Sequence, residues 1–156
     1  MKIIRSSTEK LVVELGKREK LLLLNILDLY PLVPSSYQQL SRAGGVKDTE
    51  GSQRLLDEAL SEQRADNKRR LRQFLGDPTT FEQGQSGCRM HLSQSDLEWL
   101  LQILNDIRVG SWIALGSPEK KVSGLNSKTA PQFWAMEIAG FLEASLLDAW
   151  DGDTGI

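Results

Sequence analysis

The stretch Ser95–Leu115, SDLEWLLQILNDIRVGSWIAL, carries the clearest helical pattern of the chain and is the starting point for the expected fold. Ser95 and Glu98 have the spacing of a capping box, in which a serine hydroxyl and a glutamate carboxylate satisfy the first free amides of a helix. Apolar and small residues then recur at intervals of three and four, as on one face of an α-helix; they are Leu97, Leu100, Leu101, Leu104, Ile107, Ser111 and Ala114. We therefore expect a core helix here, with Leu101, Leu104 and Ile107 almost fully buried.

Other segments of the chain also have helical patterns. Apolar spacing and flanking proline or glycine residues predict helices at about 17–30, 36–42, 49–75 and 129–150. The first of these is apolar around more than half of its circumference, which predicts a central core helix. The middle of the segment 49–75 offers almost no apolar residues, so this helix either crosses solvent or breaks there.

Stretches rich in β-branched residues are confined to the N-terminus. Residues 2–5 and 10–15 predict a hairpin, and residues 89–92 are a candidate third strand beside it. Residues 79–87 are rich in Thr, Gln, Gly and Ser, which predicts a loop. The expected fold class is mainly α: a helical bundle of four to five helices with a small N-terminal β-hairpin.

The length of 156 residues fits a single domain over 1–156. We expect the hairpin in 1–15, the helical bundle in 16–150 and a flexible tail in 151–156. An apolar fraction of 40% and a charged fraction of 26% are typical of globular proteins, and a net charge of −2 argues against a chain-wide footprint for nucleic acid.

The cellular setting follows from what the chain lacks. The N-terminal stretch, residues 1–5, is too short for a secretory signal and is soon interrupted by the polar residues 6–10. The most apolar early run, Leu21–Leu29, contains Asn25 and Asp28 and is far shorter than the ~20 residues of a membrane span. A single cysteine suits a reducing compartment. These features predict a cytoplasmic protein without a membrane segment.

Cys88 and His91 have half the spacing of a zinc site. Because the chain has no other cysteine or histidine, the four ligands of a structural zinc site cannot be completed without unusual carboxylate ligands. A Cys–His nucleophile pair is the alternative, but residues three apart in a loop rarely hold that geometry. We expect a half-buried thiol beside an exposed imidazole, with no metal and no cofactor.

Polar residues interrupt the apolar helix at its centre. Asn105 and Arg108 lie on one face, and Asp106 and Gly110 lie on another. We expect an internal polar network in which Arg108 pairs with a carboxylate or with backbone carbonyls inside the fold, Asp28 being the proposed partner, and in which Gly110 admits a neighbouring helix. A small-ligand site or an enzyme centred on Asp106 and Arg108 is the alternative.

A basic segment lies within residues 64–72. Arg64, Lys68 and Arg72 form a stripe at intervals of four, and Asp66 can pair with Arg70. A solvated helix face is the favoured interpretation. Binding of an acidic partner or of nucleic-acid phosphates through this stripe is the alternative.

The last helix carries Trp134, Phe141 and Trp150 among apolar residues on more than one of its faces. A single neighbouring element cannot cover all of these faces, and exposed apolar patches with aromatic residues are typical of protein interfaces. The pattern therefore predicts a homodimer that forms through this helix.

Residues 97–116 also resemble a known family. The run Trp99-Leu100, Leu104-Asn105-Asp106-Ile107-Arg108 and Leu115-Gly116 is similar to a bacterial domain-of-unknown-function family of small helical proteins, and so is Glu19-x-x-Leu22-Leu23. The resemblance implies a bacterial cytoplasmic protein without an assigned activity, and it supplies no catalytic residues. Taken with the residue patterns, it favours a non-enzymatic protein-interaction or regulatory module.

Overall fold

The computed structural model describes residues 1–6, 9–34, 49–85, 87–119 and 124–151. In chain order these residues form β1 (Lys2–Ser6), β2 (Lys10–Gly16), α1 (Lys17–Leu27), α2 (Thr49–Gly76), β3 (Phe81–Gln83), β4 (Gly87–Ser93), α3 (Gln94–Ala114) and α4 (Ala130–Asp151). Over this part of the chain the fold is mainly helical, with four helices and a small antiparallel sheet. The short helix expected at 36–42 and the tail 152–156 lie outside the described residues.

The sheet has the strand order β1-β2-β4-β3, and all neighbours are antiparallel. The predicted hairpin is confirmed by β1 and β2, and the candidate third strand is confirmed by β4, in which Met90 lies opposite Val13. The loop predicted at 79–87 is wrong in part, because Phe81–Gln83 pairs with β4 as a fourth strand. Three residues with one apolar side chain are too short to show the alternation by which a strand is recognised.

Alternation along β2 and β4 gives the sheet an apolar side that faces the helices. Its buried side chains are Leu11, Val13 and Leu15 from β2 and Cys88, Met90 and Leu92 from β4. The helices cover this side through contacts of α1 with β2, of α3 with β4 and of α4 with β1. An isolated hairpin would be marginal in water, so this packing stabilises the sheet.

The start of α3 differs from the expected capping box at Ser95. Ser93 is the N-cap: its hydroxyl accepts a hydrogen bond from the amide of Asp96 at 3.0 Å, and the Asp96 carboxylate accepts one from the amide of Ser93 at 3.2 Å. The prediction of Ser95 was wrong because β4 pairs with β2 as far as Ser93, opposite Lys10, so the change to helical backbone occurs there.

The buried face of α3 agrees with the sequence pattern at two of the three residues named. Leu104 and Ile107 are fully buried, as predicted, but Leu101 is only partly buried at the edge of the core. Ile103 occupies the central position instead. The helix is apolar over a wide arc, so spacing alone could not decide which part of that arc points to the centre.

Helices α1 and α2 contribute less to the core than the sequence suggests. In α1 only Leu23, Ile26 and Leu27 are buried, so the prediction of a central core helix was wrong. Helix α2 is continuous over 28 residues and does not break in its polar middle. Its core contacts are near its C-terminal end, where the Phe74 ring meets the edge of the Trp99 ring at a centroid distance of 5.5 Å.

Candidate protein-interaction surface

Helix α4 packs with its small residues inward and its large residues outward. The buried residues of α4 are mostly alanines: Ala135, Ala139, Leu142, Leu146 and Ala149. In contrast, Trp134 is 57% exposed and Phe141 is 60% exposed. The alanines let α4 lie close to α3, with which it shares the most extensive helix–helix contact. The exposed side of a surface helix is normally polar, so these aromatic residues are typical of a protein-binding surface.

Five exposed residues of α4 form a regularly spaced row along the helix, which we call the outward stripe. It consists of Trp134, Glu137, Phe141, Ala144 and Asp148, all of which are exposed. Their alternating spacing of three and four residues is the spacing by which one helix packs against another along a shared seam. The stripe thus combines the geometry of a helix-packing surface with two large aromatic anchors.

A groove runs between α4 and α1 beside this stripe. It has a volume of about 260 Å³, and its residues are Glu19, Leu22, Trp134, Glu137, Ile138, Phe141 and Leu142. Apart from Glu19 and Glu137, the lining residues are aliphatic or aromatic. Leu22 and its neighbour Leu21 on α1 are also exposed, at 44% and 59%. The exposed apolar surface therefore extends across two helices.

The three aromatic residues named from the sequence do not all reach this surface. Trp134 and Phe141 belong to the outward stripe, but Trp150 is partly buried against the core. Position 150 lies on the same side of α4 as the buried Leu146 and Ala149, so its ring turns towards the protein.

The leucines of α1 are the functional candidates that the sequence pattern missed. Leu21 and Leu22 belong to a run of four consecutive leucines, residues 21–24. Successive helical residues are about 100° apart, so four neighbours cannot all point into one core. That run was the signal from which the exposed surface on α1 could have been found.

The three cations of the basic stripe on α2, Arg64, Lys68 and Arg72, do not all project into solvent. Arg64 turns inward, where its Nη2 atom donates a hydrogen bond to the carbonyl of Val33 at 2.5 Å. Lys68 and Arg72 stay exposed. Because one of its three cations is used to hold the main chain, the stripe offers less charge to an acidic partner than the sequence suggests.

The ion pairs within this segment also differ from the expected ones. Asp66 pairs with Arg69 at 2.6 Å, so the predicted pairing with Arg70 was wrong. Arg70 lies over the Trp99 ring at 4.7 Å and contacts the Asp96 carboxylate at 3.3 Å. A guanidinium that stacks on an aromatic ring while bonding a carboxylate links α2 to α3, which is a structural role.

Asp106 and Gly110, at the centre of α3, contact the segment of the chain that follows α1. The Asp106 carboxylate accepts hydrogen bonds from the amides of Leu32 and Val33, at 2.8 and 3.4 Å. A Cβ atom on Gly110 would lie 2.4 Å from the Cβ atom of Leu32. Gly110 therefore admits the main chain that follows α1, and the expectation of a neighbouring helix at this position was wrong.

Arg108 lies at the α3–α4 surface and not at core depth. Its Nη2 atom donates to Asn105 Oδ1 at 2.8 Å, and its Nε atom lies 3.4 Å from Glu143 Oε1. Pairing with a carboxylate is confirmed, but Asp28 was the wrong partner. Since Asp106 faces the segment after α1 and Arg108 faces α4, the two side chains do not form a shared binding site.

Glu143 gives the fold a pH dependence that can be measured. Burial raises the pKa of Glu143 above its ordinary value, and Arg108 opposes this only in part. A carboxyl with a raised folded-state pKa stabilises the fold most at low pH and loses that contribution as pH rises through the folded pKa. We compare the free energy of unfolding of Glu143→Gln with that of the wild type at about pH 4 and at about pH 7. The difference should shift in favour of Glu143→Gln at the higher pH, because only the wild type loses stability as the carboxyl ionises. Urea unfolding at both pH values measures this, and an equal difference at both would contradict it.

Cys88 and His91 do not form a joint site. Cys88 is buried on the helix-facing side of β4, where burial raises the pKa of its thiol. His91 projects from the other side of the strand and contacts the Glu82 carboxylate at 2.9 Å. Within the described ranges no cluster of three or more His, Cys, Asp or Glu residues could hold a metal ion.

Comparison with known proteins gives no family for this chain: it matches no family model, no curated protein and no solved structure. In the part of the chain that the structure describes, no helix has both the length and the apolar character that crossing a membrane requires. The assignment of a function therefore depends on the surface formed by α1 and α4.

Proposed function

We propose that this protein is a non-enzymatic protein-interaction module that works as a homodimer, with α1 and α4 as its docking surface. The observation that carries this proposal is the outward placement of Trp134 and Phe141 on a helix whose buried side is built mostly of alanines. Large aromatic residues dominate the energetics of protein interfaces, and leaving two of them in water is unfavourable for an isolated surface helix.

The size of the surface supports a second copy as the occupant. Helix α4 has 22 residues and α1 has 11. At 1.5 Å per residue and a helix spacing of about 8–10 Å, the two helices present roughly 500 Å² in projection, and their corrugated accessible area is larger. A specific complex buries about 600–1,000 Å² on each partner, so a face of this size is of the right order.

The location that we propose is the bacterial cytoplasm. The resemblance of residues 97–116 to a bacterial family and the single cysteine, which forms no disulfide, support this proposal.

The proposed function is tested by two matched leucine substitutions. Leu22→Asp places a charge in the groove between α1 and α4, and Leu55→Asp places the same charge on α2, where Leu55 is 69% exposed. We expect Leu22→Asp to weaken self-association about tenfold or more, because a charge must be desolvated in the interface, while Leu55→Asp leaves it unchanged.

Sedimentation velocity over a range of protein concentrations measures both effects. Circular dichroism confirms that each variant is folded. The proposal fails if Leu22→Asp self-associates as strongly as the wild type. It also fails if Leu55→Asp weakens association as much as Leu22→Asp.

A further inference from the structure

We infer that the second copy docks with its α4 antiparallel to the first, with the two-fold axis passing beside Phe141. This inference rests on the proposed function, which supplies the dimer. It adds the arrangement of the two chains and a specific contact between them, in which Trp134 of one copy meets Asp148 of the other.

The symmetry of the outward stripe supports the position of the axis. Trp134 and Asp148 are each seven residues from Phe141, so both lie about 10.5 Å from it along the helix, on opposite sides. Glu137 and Ala144 lie four and three residues from it. Reversing one helix about Phe141 therefore brings Trp134 opposite Asp148 and Phe141 opposite its own copy, and it places Ala144 within one residue, about 1.5 Å along the axis, of the position opposite Glu137. Each large side chain other than Phe141 then faces a smaller one.

The chemistry of these facing pairs is complementary. The indole Nε1–H of Trp134 donates to no acceptor among the described residues, and a buried indole N–H needs one. The Asp148 carboxylate of the second copy supplies an acceptor. The methyl group of Ala144 leaves room for the aliphatic part of the Glu137 side chain, whose carboxylate reaches solvent at the edge of the seam.

Charge distinguishes this arrangement from a parallel one. Parallel helices in register would bring Glu137 against Glu137 of the second copy and Asp148 against Asp148, and like charges in contact are destabilising. In the antiparallel arrangement the two Asp148 carboxylates are about 21 Å apart along the helix axis, well beyond the screening length of about 8 Å at physiological salt. Antiparallel helix dipoles also favour this orientation.

Disulfide cross-linking tests the arrangement, because Cys88 is buried and the surface offers no competing thiol among the described residues. A disulfide forms only between Cα atoms within about 7 Å. We expect Phe141→Cys to form a covalent dimer on mild oxidation, since position 141 lies beside the two-fold axis. Glu137→Cys alone should not link, because the two copies of residue 137 are about 12 Å apart along the axis.

A double variant keeps both aromatic anchors in place. Glu137→Cys combined with Ala144→Cys should form a covalent dimer, because residue 137 faces residue 144 of the second copy, and Ala144→Cys alone should not. Within one helix, residues 137 and 144 are about 10.5 Å apart and cannot link to each other. Non-reducing electrophoresis of oxidised samples separates the covalent dimer from the single chain.

The outcomes separate this inference from the proposed function. Efficient linking of Glu137→Cys alone would indicate a parallel seam and would overturn the inference. So would a wild-type protein that is dimeric by sedimentation while neither Phe141→Cys nor the double variant links. The proposed function, in contrast, fails if the wild type does not associate, if Leu22→Asp associates as strongly as the wild type, or if Leu55→Asp weakens association as much as Leu22→Asp.

Discussion

Replacing Leu104 with alanine lowers the free energy of unfolding by about 2–5 kcal/mol, because the lost side chain leaves a cavity that the surrounding core fills only in part. Leu104 is 0% exposed and belongs to the cluster that joins α3 to the helix-facing side of the sheet. Leu101→Ala is the matched control, since Leu101 is on the same helix but only partly buried. Its cost should be clearly smaller.

Urea unfolding at a fixed protein concentration measures both variants, since the stability of a dimer depends on concentration. If Leu101→Ala lowered the free energy of unfolding as much as Leu104→Ala, the side of α3 that carries Leu101 would have to be as deeply buried as the side that carries Leu104. A midpoint that Leu104→Ala leaves unchanged would exclude the core described above.

The second large effect is expected at Gly110. Alanine normally stabilises a helix by about 1 kcal/mol relative to glycine. At this position the added Cβ atom would lie 2.4 Å from the Leu32 Cβ atom and 2.6 Å from the Leu32 carbonyl carbon, so the main chain after α1 must move. We expect Gly110→Ala to destabilise the protein by about 1–3 kcal/mol in spite of its better helix propensity.

Gly140→Ala provides a matched control within α4. Its added Cβ atom would meet only the Cδ atom of Arg108, at 3.6 Å, which is an ordinary contact. This substitution should raise the free energy of unfolding by about 0.5–1 kcal/mol. Chemical denaturation measures the change in the free energy of unfolding for both variants, which should be opposite in sign. A stabilising Gly110→Ala would contradict the close approach of Leu32 to α3.

Local patterns predicted most of the helices and strands, because each pattern reports a periodicity that one element carries by itself. The N-cap of α3 was displaced by two residues, since pairing of Ser93 with Lys10 on β2 depends on a partner far away in the sequence. The strand Phe81–Gln83 was missed for the same reason: its pairing with β4 forms the strand, and its own three residues carry no periodic signal.

The candidate surface could be predicted in part. Trp134 and Phe141 were expected to be exposed because α4 carries more apolar faces than one neighbour can cover. The exposure of Leu22 was not predicted, because an apolar residue in an apolar run gives no sign of which side of its helix meets the core. The partners of Arg64 and Arg108 could not be predicted from the sequence, since only the tertiary fold brings the Val33 carbonyl and the Glu143 carboxylate to them.

Sedimentation equilibrium of the unmodified protein measures whether the chain binds a second copy, which a homodimer through α1 and α4 requires. Concentrations that reach about 100 µM cover the affinities expected for a specific dimer. We expect a mass that rises with concentration to twice the single-chain value of 17.4 kDa. A mass of 17.4 kDa at every concentration would contradict it.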